Sequence, residues 1–250
     1  MSEDLGFRFT WYGHSTVHVE SKAGTSILID PWFGHPLAPV GADAIERCDV
    51  MLVTHGHHDH LGAGPGDVEN ADALSIARRT RPAWPAIHEL SLWLEAQDTG
   101  AEIVGMNKGG TVEVAGVRVA MVTADHSAGD FVEAAGVPLY LGEPVGFVLE
   151  LENGTVFYHA GDTALFGDMR LINEMYRPDV AFLPIGGHFT MDATAAARAV
   201  ELLGCATVVP IHYGTFPVLA GTPDQLREEL EHLGLSDVAV LSPEPGTTIG

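Results

Sequence analysis

The chain has 250 residues, enough for one substantial domain with its own core, and we read residues 1–250 as that single domain. Its 12 Lys and Arg against 34 Asp and Glu give a formal charge of −22, which excludes a phosphate-backbone partner, and 46% hydrophobic residues exclude a disordered chain. No apolar run reaches the roughly 18 residues of a membrane span, the acidic start Met1-Ser2-Glu3-Asp4 is unlike a secretory signal, and Cys48 and Cys205 form no CxxC.

These features predict a cytoplasmic protein with reduced thiols, acting on a small molecule, with association into a homo-oligomer left open. In chain order, Phe7–Trp11, Thr16–Glu20 and Thr25–Ile29 read as short strands, parted by Gly13 and by Lys22-Ala23-Gly24. Val50–Thr54 is an apolar strand-type run. The periodicity predicts helices over Val68–Arg79 and Ile87–Gln97. Thr111–Val114 and Val117–Thr123 form a hairpin across Ala115-Gly116, and Val145–Glu152 and Val156–His159 another across Asn153-Gly154.

Leu165–Tyr176 reads as a helix, Val180–Ile185 as a buried strand and Val208–Ile211 as a further one. Asp192 caps a helix that runs to Leu203 and stops at Gly204. Thr222-Pro223-Asp224-Gln225 is a capping box with proline at the first helical position, opening a helix to Leu233. Local strand pairs followed by strand–helix alternation predict an α/β or α+β sandwich.

The chemistry concentrates in Thr54-His55-Gly56-His57-His58-Asp59-His60. Four of the six residues from 55 to 60 are histidine, where 13 in 250 predicts about 0.3. The cluster follows a strand, and residues 55 and 57 on an extended backbone point the same way. Asp59 and His60 face the same spot from the ensuing turn. Imidazoles with a carboxylate are ligands for zinc, iron and manganese, so the cluster is a metal site. His126, Asp162 and His212 each follow a predicted strand as well, so separate strand ends deliver further candidate ligands.

The string T-H-x-H-x-D-H at Thr54–His60 resembles the signature of the metallo-β-lactamase superfamily. Trp11-Tyr12-Gly13-His14-Ser15, Ile29-Asp30-Pro31, Ala160-Gly161-Asp162-Thr163, the run from Pro184 to Met191 and the run from Pro210 to Pro217 occur in family order. Together they resemble a branch of small bacterial and archaeal metal-dependent hydrolases, with ascorbate-6-phosphate lactonases and N-acylphosphatidylethanolamine phospholipase D as more distant likenesses. The resemblance implies a four-layer αββα sandwich with metals at one edge between two sheets. It implies one ion held by His55, His57 and His126, a second by Asp59, His60 and His212, and Asp162 bridging both. Zinc is the first candidate, with manganese, iron(II) or nickel as substitutes.

Two ions roughly 3.5–4 Å apart share a water and lower its pKa. The expected activity is therefore hydrolysis of an ester, lactone or phosphoester by a hydroxide bound to a dinuclear centre. Asp59 is the candidate proton acceptor, and His188 a candidate contact to the substrate, against a structural hydrogen bond. Asp30 is a candidate for orienting ligand imidazoles, His14 has a family position near the metals, and His58 and His159 read as supporting residues. Residues 131–141 form an apolar segment that is a lid, a pocket wall or ordinary packing, and with Trp32-Phe33 and Phe216-Pro217 hints at a partly apolar substrate. Two rivals stand: an iron redox enzyme of the same fold, needing only two histidines and a carboxylate, and a non-catalytic metal-binding protein.

Overall fold

The computed structural model describes residues 5–133 and 135–250. Three antiparallel strands, β1 (Phe7–Gly13), β2 (Thr16–Ser21) and β3 (Ser26–Ile29), open the chain. Then follow β4 (Val50–Leu52), a single helical turn α1 (His58–Leu61), α2 (Asp72–Thr80), β5 (Ala83–Ile87), α3 (His88–Glu95) and β6 (Glu102–Met106). The next strands are β7 (Thr111–Val114), β8 (Val117–Thr123), the hairpin β9 (Gly129–Val132) and β10 (Val137–Tyr140), β11 (Val145–Glu150) and β12 (Val156–His159). The last part alternates: α4 (Met169–Tyr176), β13 (Val180–Pro184), α5 (Ala193–Leu203), β14 (Thr207–Ile211), α6 (Pro223–His232), β15 (Ala239–Val240) and β16 (Thr248–Ile249).

Two seven-stranded sheets result, ordered β16-β1-β2-β3-β4-β5-β6 and β15-β14-β13-β12-β11-β8-β7. Both sheets are mixed: β16-β1-β2-β3 and β12-β11-β8-β7 are antiparallel, while β3-β4-β5-β6 and β15-β14-β13-β12 are parallel. The inner faces pack through large apolar side chains: Phe7 meets Phe157 at 5.2 Å, and Phe9 meets Phe182 edge-on at 5.3 Å. On the outside, Leu74, Ile76, Leu90 and Leu94 carry α2 and α3 onto the first core. Met169, Ala196, Val200, Leu203, Leu226 and Leu230 seal α4, α5 and α6 over the second sheet. The order helix, sheet, sheet, helix is the expected αββα sandwich.

Local differences from the sequence reading have physical causes. The helices begin later than periodicity suggests, at Asp72, His88 and Met169: turns precede the first and last, and Ile87 belongs to β5. The strand β5 escaped the reading because Pro85 sits in it; β5 pairs with β4 only at Val50–Ala83, before the residue that lacks an N–H. The Asn153-Gly154 hairpin closes with Gly154 N–H on Leu151 C=O and Leu151 N–H on Thr155 C=O, with Gly154 at φ 82°. That is a three-residue loop with a glycine bulge rather than a two-residue turn. The apolar segment after His126 is the separate hairpin β9–β10, whose Phe131, Val137 and Tyr140 are exposed.

The α6 capping box is present as the sequence implies: Thr222 Oγ1 accepts the Gln225 N–H, and the Gln225 side chain accepts the Thr222 N–H. Thr222→Ala should cost about 1 kcal/mol, lowering Tm by about 2–4 °C for a chain of this size; a calorimetric melt with no change would show that α6 does not depend on the box. His35 is buried with Nε2 unpartnered, and burial pushes its imidazole down to about 4. An unfolded imidazole titrates near about 6.5, so this residue's contribution is intact above that pH and is lost as pH falls toward about 4. His35→Gln should make the fall of Tm over that window shallower, and an unchanged slope would contradict this.

Candidate metal centre

The site forms where strands of both sheets end on the same edge. Thr54 follows β4, His126 follows β8, Asp162 follows β12 and His212 follows β14. Two backbone bonds tie the sheets there: His212 N–H donates to His14 C=O at 2.7 Å, and Val145 N–H to Thr54 C=O at 3.0 Å. Three residues at these strand ends, His14, Asp30 and His212, hold positive φ of 48–54° without being glycine. Such backbone costs on the order of 1 kcal/mol each and persists where the surroundings over-determine it. Gly161 (φ 62°) is needed for another reason: a Cβ there would lie 2.7 Å from the Thr54 Cβ, blocking the approach of Asp162 to the motif.

One hydrogen-bonded chain sets the tautomers. Asp30, fully buried, accepts the Thr54 N–H at 2.7 Å, the Thr54 hydroxyl at 2.8 Å and His60 Nδ1–H at 2.8 Å. With its hydroxyl proton given to Asp30, Thr54 Oγ1 accepts from His55 Nδ1 at 3.0 Å. Each ring thus engages this chain through Nδ1 and directs Nε2 away from Asp30. His55 Nε2 lies 2.9 Å from His57 Nδ1, and His126 joins them within 4.8 Å, with no carboxylate in that group.

The second group gathers His14, Asp59, His60 and His212. His14 Nε2 is 3.1 Å from Asp59 Oδ2 while its Nδ1 faces Thr215 Oγ1 at 3.0 Å. A carboxylate only accepts, so His14 donates through Nε2 and orients Asp59 rather than competing as a ligand. Asp162 Oδ2 stands between the groups, 3.0 Å from His212 Nε2, 3.4 Å from His60 Nε2 and 3.5 Å from His126 Nε2.

Electrostatics match donors prepared for cations. Burial, reinforced by His60, holds His55 well below the usual imidazole range and lowers His57. Burial also lowers His126 against the pull of Asp162, and burial with His212 nearby takes His14 down to about 4. Burial would raise Asp59, but the His14 hydrogen bond and the His60 charge hold it below the usual carboxylate range. Asp162 is likewise held well below that range, since His212 and His60 outweigh its burial. Burial alone would depress His60, yet Asp162 and Asp30 on either side push it well above. The donor set is thus mostly neutral imidazole with ionised carboxylate.

The decisive feature is what these atoms lack. His60 Nε2, His212 Nε2 and Asp162 Oδ1 are buried with no hydrogen-bond partner. Buried polar atoms are almost always satisfied, so these orphans, on residues grouped as possible ligands, fit a site that binds metal. A cavity of about 280 Å³ opens beside them, lined by His57, Asp59, His126, Asp162 and His212 with Ser127, Asp130, Phe189 and Phe216.

Comparison with known proteins shows the family. A family profile described as the Beta-lactamase superfamily domain matches residues 25–213. The chain belongs to the metallo-β-lactamase superfamily, as a metal-dependent hydrolase. It is 43% identical to a UPF0173 metal-dependent hydrolase of Roseiflexus castenholzii, over 96% of each chain. It is 45% identical to one of Methanopyrus kandleri, over 96% of this chain and 97% of that one. The structure of Igni18, a novel metallo hydrolase from Ignicoccus hospitalis, superposes with TM-score 0.81 at 37% identity, covering 97% of both chains.

The structure brings together all seven residues that the sequence nominated as ligands, sets around them His14 and Asp30, which the sequence had also marked, and adds Thr54. His58 is in none of the ligand groups but lines the cavity, half-exposed, and meets Asp130 of β9, which accepts its backbone N–H at 2.8 Å. Asp130 carried no signal in the sequence, because the contact spans 72 residues. His159 is buried against the Ser15 carbonyl at 3.2 Å, a supporting role. His188 is not among the residues lining the cavity; it lines a neighbouring one with Gly186, Asp192 and Glu229, and the next residue, Phe189, takes the wall position. Asp30→Asn keeps the side-chain shape but weakens the hold on His60 and Thr54. It should lower metal affinity about 10–100-fold, measured by competition with a chromogenic chelator; unchanged affinity would remove Asp30 from the support of the site.

Proposed function

We propose that the site holds two divalent ions and hydrolyses an ester, lactone or phosphoester of a small molecule. His55, His57 and His126 would hold one ion, Asp59, His60 and His212 the other, and Asp162 would bridge them. The observation that carries this reading is the set of orphaned buried atoms on His60, His212 and Asp162. Bound there, two divalent cations supply Lewis acidity and make a water acidic enough to attack at neutral pH.

The residues of the chain do the rest. Asp30 and Thr54 lock the rings of His60 and His55, so their Nε2 atoms are aimed before anything binds. His14 fixes Asp59 at the cavity wall in its ionised form, and its place there would let it pass the proton of the attacking water to the leaving oxygen. Asp162 offsets the repulsion of two cations with a negative charge that no other hydrogen bond consumes at Oδ1. The mechanism requires no serine or cysteine nucleophile, and Cys48 and Cys205 are buried away from the cavity with thiols pushed up to about 12 by burial. Zinc is the first choice of metal from the donor types, and manganese, iron(II) and nickel satisfy them too.

Removing the metals with a chelator should abolish hydrolysis and leave the chain folded, with activity restored by zinc or manganese. Asp162→Asn should reduce kcat/KM at least about a hundredfold, since displacement of a reacting group by about 1 Å already costs that much. Metal content should fall from two per chain toward one, read by elemental analysis. A variant with two metals and near-wild-type turnover would refute the bridging role.

A further inference from the structure

The walls of the cavity beyond the candidate ligands differ sharply in chemistry from the ligands themselves. Among the described residues that line it, none is Lys or Arg. The charged groups there besides the histidines are Asp59, Asp130 and Asp162. Asp130 is committed: Oδ2 accepts the His58 N–H at 2.8 Å and Oδ1 the Phe131 N–H at 2.7 Å. A second anionic group on a substrate, once beyond the metals, would therefore meet carboxylate and no cation.

Apolar surface is what the cavity offers instead. Phe189, from the loop after β13, and Phe216, from the loop after β14, both line it. Phe216 is seated, with its ring 5.9 Å from Trp32 and 5.9 Å from His14. Phe189 is 56% exposed, a large ring left in water at the edge of the cavity. The rest of the lining beyond the candidate ligands is His58, Ser127, Gly129 and Asp130, and the cavity of about 280 Å³ leaves room for a guest beside the rings.

Resting on the hydrolytic reading above, we propose that Phe189 and Phe216 form an aromatic clamp for an uncharged apolar group of the substrate. The favoured substrates are then neutral carboxylic esters or lactones with an alkyl or aryl portion, and phosphate monoesters are rejected. Burying an apolar chain against two rings stabilises the complex in proportion to the area removed from water. The carboxylates add repulsion against anionic competitors.

The test uses the metal-loaded protein with 4-nitrophenyl acetate, butanoate, octanoate and phosphate. The kcat/KM should rise about tenfold or more from acetate to octanoate, with the phosphate monoester slowest. Phe189→Ala should lower the octanoate-to-acetate ratio about tenfold with metal content unchanged, and Phe216→Leu should lower it in the same direction. Binding is read independently by calorimetry with two inert ketones, acetophenone and octanophenone. Octanophenone should bind more tightly, and Phe189→Ala should erase most of that difference. Equal rates and equal Kd across chain length, a preference for the phosphate monoester, or an equal loss on every ester in Phe189→Ala would overturn the clamp. Chain-length-dependent ketone binding without cleavage of any ester would instead overturn hydrolysis and leave the clamp standing.

Discussion

A carboxylate deep in a protein must be neutralised, protonated or paired, and Asp162 meets this constraint at the point where the two sheets end. It is 2% exposed and held ionised, with three imidazole nitrogens within 3.5 Å of one oxygen and nothing bonded to the other. Leaving such a charge without compensation costs several kcal/mol. In the proposed centre, bound cations would remove that cost and take the neighbouring imidazoles as ligands. The rest of the edge is arranged around that outcome: Gly161 lets the carboxylate approach, and Asp30 and Thr54 turn the rings toward it.

The fold supplies this convergence cheaply. Strands of both sheets stop at one edge, so residues far apart in the chain arrive together on rigid supports. The backbone bonds from His212 to His14 and from Val145 to Thr54 fix one sheet against the other at that edge. The unfavourable φ of His14, Asp30 and His212 is concentrated here, and the apolar contacts of Phe7, Phe9, Phe157 and Phe182 hold the frame that tolerates it. Stability is drawn from the core, and strain is spent at the site.

Much of this was legible in the chain itself. The motif from Thr54 to His60 is local, so its chemistry needs no tertiary information. The alternating strands up to β3, the caps of α5 and α6, and the strand before each candidate ligand were readable for the same reason. What escaped was non-local or locally contradictory. Pro85 hid β5 behind its missing N–H, and β15 and β16 are two-residue strands with too little pattern to read. Asp130 reaches His58 only because a separate hairpin folds back, and His14 was marked by its strand end without its partner Asp59. His188 and Phe189 show the limit most plainly: one residue of difference in a glycine-rich loop decides which side chain faces the cavity.

The dinuclear arrangement is the central claim, and diffraction at the absorption edge of the bound metal tests it most directly. The account predicts two anomalous peaks per chain, one within coordinating distance of His55, His57 and His126, the other of Asp59, His60 and His212, with an Asp162 oxygen reaching both. A single peak, or two peaks with Asp162 coordinating neither, would contradict it.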